Sequence, residues 1–86
     1  MSLKANNTPD VISLGIGEPD FSPPTHVLDA AKQALDEGKT HYTPTTGIPE
    51  LLEALAKKAK KDYGLSYDPN TEILVTVGGT QAIFLA

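Results

Sequence analysis

The chain has 86 residues, 40% of them hydrophobic, with no cysteine and no tryptophan, enough for one small domain or a piece of one. Eleven carboxylates against seven lysines and no arginine leave a formal net charge of −4, which argues against a nucleic-acid binder, whose docking face is normally rich in Arg. Without cysteine there is no disulfide scaffold and no thiolate zinc site, His26 and His41 are thin material for any other metal centre, and no apolar run approaches the ~20 residues that span a bilayer.

Met1-Ser2-Leu3 reads as a tag-derived lead, and the polar stretch to Asp10 as mobile chain. Val11 to Gly17 (V-I-S-L-G-I-G) is a short extended segment that runs into a loop stiffened by Pro19, Pro23 and Pro24. From Pro24, the apolar residues Val27, Leu28, Ala31, Ala34 and Leu35 recur at helical spacing until Gly38 stops them, which predicts an amphipathic helix. The next nine residues, K-T-H-Y-T-P-T-T-G, read as a loop. A second helix is expected from Ile48, with Gly47 as N-cap, Pro49 in its first turn, an apolar stripe of Ile48, Leu51, Leu52, Leu55 and Ala59, and Gly64 at its end.

Lys57, Lys58, Lys60 and Lys61 fall in the last turns of that helix, where they complement the macrodipole, and Glu53 stands four residues before Lys57. They read as a solvated face and not as a phosphate site. After a turn at Ser66 to Asn70, the run E-I-L-V-T-V predicts a strand buried on both faces. It ends at Gly78-Gly79, and Thr80 to Ala86 reads as the opening of a helix with no stop signal. A strand followed by a helix is half of a βαβ crossover, so the chain is expected to be unfinished and poorly stable by itself.

The turn from strand through Gly-Gly-Thr into a helix suits an anion: bare glycine amides, a hydroxyl donor and the positive end of a helix converge there. Alone, such a turn is more often just a tight connection, and no P-loop or complete dinucleotide fingerprint is present. Gly15 and Gly17 either present amides to a carboxylate or only permit a bend. Glu18, Asp20, His26 and His41 read as solvated groups, and no nucleophile with an attached base can be assembled. Tyr42 lies in a polar loop where its phenol is placed to bond something outside the segment.

Taken together, I-S-L-G-I-G-E-P-D-F-S-P-P, the helix to E-G-K-T, H-Y-T-P-T-T-G-I-P-E-L and V-T-V-G-G-T-Q-A resemble, in order and spacing, the N-terminal part of the pyridoxal-phosphate-dependent aminotransferases of class I and II, over residues 11 to 86. The resemblance implies a three-layer α/β/α fold of the PLP-dependent transferase type, with residues 11–45 in an N-terminal arm and small-domain segment and 46–86 opening the cofactor-binding large domain. It implies that Gly17 offers its amide to the substrate α-carboxylate, that Gly79 and Thr80 hold the phosphate of pyridoxal 5'-phosphate, and that Tyr42 reaches the phosphate of the neighbouring subunit in a homodimer.

By the same resemblance, the Schiff-base lysine, the aspartate on the pyridine nitrogen and the substrate-clamping arginine lie downstream of Gly-Gly-Thr. Here every lysine precedes that block, no Asp follows Asp68 and there is no Arg, so no catalytic residue is assigned and these residues alone are expected not to transaminate. The expected function is the N-terminal part of a cytoplasmic aminotransferase that works on an amino acid and a 2-oxo acid together with the rest of its chain, without nucleic-acid or membrane partners. The alternative is a non-catalytic remnant or dimerisation protein, and another reaction of the same cofactor shares these blocks.

Overall fold

A computed structural model describes residues 7–86; the tag-derived reading of the first residues falls outside them. Among the described residues there are three helices, α1 (Thr25–Asp36), α2 (Pro49–Tyr63) and α3 (Gly78–Leu85), and the chain divides into two compact units, Met1–Lys39 and Thr40–Ala86.

In the first unit the segment from Val11 is extended and exposed, and α1 begins directly behind the proline pair with Pro24 as N-cap. The Pro24 carbonyl accepts the amides of Val27 and Leu28. The far end closes as the glycine signal predicts: Gly38 sits at φ 74°, and the amides of Gly38 and Lys39 return to the carbonyls of Leu35 and Ala34. Just outside α1, Glu37 accepts a hydrogen bond from the Gln33 amide at 2.8 Å and faces Lys39 at 3.1 Å. The Gln33 bond first, then the Lys39 ammonium, hold its carboxyl below the usual glutamate value. No α1 side chain is buried, so its apolar stripe is presented and not consumed.

In the second unit, α2 starts at Pro49 with Ile48, not Gly47, as N-cap and without a side-chain cap. The reason is that Gly47 is engaged elsewhere, at φ 120°. Gly64, left-handed at φ 69°, ends the helix as expected. The helix buries Leu52, at 5% exposure, and half-buries Ala56 and Ala59, a stripe rotated slightly from the predicted one, so that Ile48, Leu51 and Leu55 stay partly exposed. Its ion pair is Lys58 to Asp62 at 2.6 Å, not Glu53 to Lys57. Beyond α2, Asp68 and Glu72 close a turn on themselves: the Asp68 carboxylate accepts the Asn70 amide and Glu72 accepts the Asp68 amide.

The expected strand over 72–77 is corrected. These residues are extended, but no strand is assigned among the described residues. Strand structure requires a ladder, and here the run makes one long-range backbone bond, from the Val75 amide to the Thr46 carbonyl at 2.9 Å. Burial is partial too: Ile73, Val75 and Thr76 are half-buried while Leu74 is exposed. A Cβ on Gly47 would stand 2.7 Å from Val75 Cγ2 and 3.3 Å from Leu52 Cδ2, so the glycine is required both by its φ and by the side chains against it.

The exposed surface is 8126 Å² for 9.1 kDa. Two separate compact bodies with these masses would expose only about 5900 Å². With Leu52 as the one buried hydrophobic among the described residues, an 86-residue polypeptide of this sequence is expected to show no cooperative heat-absorption peak in calorimetry; a sharp two-state transition would contradict this. In a polypeptide long enough to unfold cooperatively, Gly47→Ala is expected to cost about 2–4 kcal/mol, read as a lowered urea midpoint. An unchanged midpoint would mean that the Gly47–Val75 approach is not kept in solution.

Candidate functional site

The extended run after Glu72 delivers the chain into α3 at the glycine pair, and the two glycines have different reasons to be there. Gly78 turns at φ 79°, a conformation that a side chain resists. Gly79 has an ordinary φ, and a Cβ built on it meets nothing within 4 Å. Neither backbone geometry nor packing among the described residues requires glycine at 79.

An α-helix leaves its first amides without intrahelical acceptors. At α3 the Val77 amide donates to the side-chain Oε1 of Gln81, the Gly78 amide donates to the Thr76 carbonyl at 3.0 Å, and the Thr76 hydroxyl donates to the Gly78 carbonyl at 2.9 Å. The amides of Gly79 and Thr80 have no acceptor among the described residues. At α1 and α2 the N-cap carbonyls of Pro24 and Ile48 each accept two amides, and α1 still leaves the adjacent Thr25 and His26 amides without acceptors among the described residues. The start of α3 shares this feature of helix N-termini and differs in the glycine at 79, whose bare Cα lies between the free donors and beside the Thr80 hydroxyl. Two amides, a hydroxyl and a bare Cα are a donor set that fits a phosphate group. They carry no full charge and can bind or orient, but cannot act as acid or base.

The Thr46–Val75 bond ties the loop that carries Tyr42 to the extended run that feeds this turn. Tyr42 itself is fully exposed, at 107% of its reference area, and with Thr40 and His41 it lines an open depression. Gly17 lies in the other unit, in an exposed extended stretch with nothing within 4 Å of a Cβ placed on it. Its companion Gly15 donates to the Ser13 hydroxyl at 3.4 Å, which leaves Gly17 as the barer of the pair. Gln81, not singled out in the sequence, accepts the Val77 amide one turn back and so closes the start of α3.

No group of three His, Cys, Asp or Glu suited to a metal occurs among the described residues, and no described helix is long and apolar enough to cross a membrane.

Residues 9–86 match the family model of aminotransferase class I and II. The chain is 56% identical over 79 residues to a probable aspartate aminotransferase of Methanocaldococcus jannaschii, covering 92% of this chain and 21% of the relative. It is 58% identical over 76 residues to an aspartate aminotransferase of Pyrococcus abyssi, covering 88% and 20%. An aromatic aminotransferase structure from Pyrococcus horikoshii OT3 superposes with a TM-score of 0.79 at 55% identity, over 95% of this chain and 20% of that one. The chain thus spans about one fifth of the length of the relatives it matches, and its trace is that of the corresponding part of their α/β fold. On the matched residues and the superposed backbone together, the chain belongs to the class I and II aminotransferases.

Proposed function

We propose that this chain is the N-terminal anchoring segment of an aminotransferase that moves an amino group from an amino acid to a 2-oxo acid through pyridoxal 5'-phosphate. The observation that carries the reading is the start of α3, where Gly79 and Thr80 keep free amides in a family whose members use a phosphorylated cofactor. The aspartate and aromatic aminotransferases among the similar proteins make aspartate and aromatic amino acids the donors to try first.

In this reading the Gly79 and Thr80 amides and the Thr80 hydroxyl hold the cofactor phosphate, and the absence of a Cβ at 79 lets the oxygens approach the backbone. The Gly17 amide donates to the α-carboxylate of the amino acid. Tyr42 donates its phenol proton to the phosphate in the neighbouring subunit of a homodimer, which its full exposure supports. Pyridoxal phosphate, when bound, supplies the electron sink for amino-group exchange. The rest of the enzyme chain supplies the lysine, aspartate and arginine that this segment lacks. Residues 11–45 belong to the arm and small domain and 46–86 to the large domain of a cytoplasmic enzyme that needs neither nucleic acid nor membrane.

The test is the full-length protein incubated with pyridoxal phosphate, L-aspartate or L-phenylalanine, and a 2-oxo acid acceptor, with the new amino acid quantified. Transfer is expected with at least one donor. Failure with both donors, in a protein that has no lysine trapped on the cofactor by borohydride, would favour the non-catalytic alternative. Thr80→Val is expected to raise the Kd for pyridoxal phosphate about 10–100-fold through loss of a hydrogen bond to a charged group. An unchanged Kd would remove Thr80 from the site.

A further inference from the structure

We propose that the depression where the chain folds back over the end of α2 is a binding site for a phosphate monoester with a small, flat apolar body. It is separate from Gly79 and Thr80 and independent of how they are read.

The depression is made by the helix stop. Left-handed Gly64 ends α2, and the amides of Gly64 and Leu65 donate to the carbonyls of Lys60 and Ala59, which turns residues 65–67 back along the last turns of the helix. The hollow between them measures about 240 Å³ and is lined by Ala56, Lys57, Lys60, Ser66 and Tyr67. No carboxylate lines it, and each of its four polar side chains can donate a hydrogen bond. None of the four has a side-chain hydrogen bond or ion pair among the described residues.

The lysines that the sequence groups on one solvated helix end therefore differ in what they meet. Lys58 is held by Asp62 at 2.6 Å, and in the other unit Lys32 and Lys39 are paired with Asp29 and Glu37. In a chain where carboxylates outnumber lysines, the described lysines left without one are Lys57, Lys60 and Lys61, and two of these line the hollow. Three residues apart, Lys57 and Lys60 are neighbours on the helix surface, and an anion between them offsets their mutual repulsion with the double charge that a phosphate monoester carries. The carbonyls of Ala59 and Lys60, which would oppose an anion at this end of a helix, are occupied by the amides of Leu65 and Gly64. The half-buried Ala56, the lysine stems and the Tyr67 ring supply an apolar wall that a bare phosphate would leave unused.

The experiment uses the full-length protein loaded with pyridoxal 5'-phosphate and freed of the excess, titrated calorimetrically with phenyl phosphate and, separately, with inorganic phosphate. Phenyl phosphate is expected to bind at least about fivefold tighter than inorganic phosphate. The double variant Lys57→Gln/Lys60→Gln is expected to weaken phenyl phosphate about 5–30-fold. Lys58→Gln/Lys61→Gln, which removes the same charge outside the hollow, is expected to weaken it less than about twofold. These variants locate the ligand whether or not the protein retains its cofactor. Equal losses in the two double variants would mean general charge attraction, and binding untouched by either would place the ligand elsewhere; both results overturn the proposal, as does the absence of binding. Equal affinity for the two ligands would leave a bare anion site and overturn the assignment of an ester.

Discussion

The second unit depends on one backbone hydrogen bond, from the amide of Val75 to the carbonyl of Thr46, with Gly47 pressed beneath the valine. Twenty-eight residues of chain lie between its ends, so it closes α2 and the Asp68 turn into a loop and fixes where the extended run must pass. Everything with a functional reading in this unit hangs from it. On one side the chain leads back to Tyr42, on the other it runs two residues to the turn at Val77 and Gly78. Leu52 fills the space beside Gly47, which makes the most buried side chain of α2 part of the same junction. A residue with a side chain at 47 would separate the Tyr42 loop from the run that leads to Gly78-Gly79.

The chemistry legible in these residues is the chemistry of holding. Backbone amides, one hydroxyl and one phenol recognise anions without adding a proton-transferring group, and the turn before α3 spends some donors internally while others stay available. Such donors act through geometry and not through reactivity.

The surface is explained in the same terms. α3 carries Ile83 and Phe84 at more than 80% exposure, and its sequence has no polar stripe, which is the pattern of a helix covered on every side. α1 presents Val27, Leu28 and Leu35 in the same way. A segment that corresponds to one fifth of its relatives has apolar faces suited to neighbours in a larger α/β body, and Leu52 alone among the described residues is satisfied within the segment.

The helices were legible from local signals, because Pro24, Gly38, Pro49 and Gly64 act on the backbone of their own turn and need nothing distant. The order of the four sequence blocks identified the family. The 72–77 run was read correctly as extended and wrongly as a strand buried on both faces, since a strand is defined by its neighbours and the residue types of one segment do not supply them. Gly47 was read as a helix cap, although its value lies in contact with Val75, twenty-eight positions away. The bond of Gln81 was equally invisible, because it depends on the ψ of Val77 that aims the side chain at the amide. By itself, then, the sequence determined which stretches bend, coil or extend and which residue types can hold a phosphate. The tertiary structure decided which donors are spent and which remain, because hydrogen-bond partners are chosen by distance in space and not along the chain.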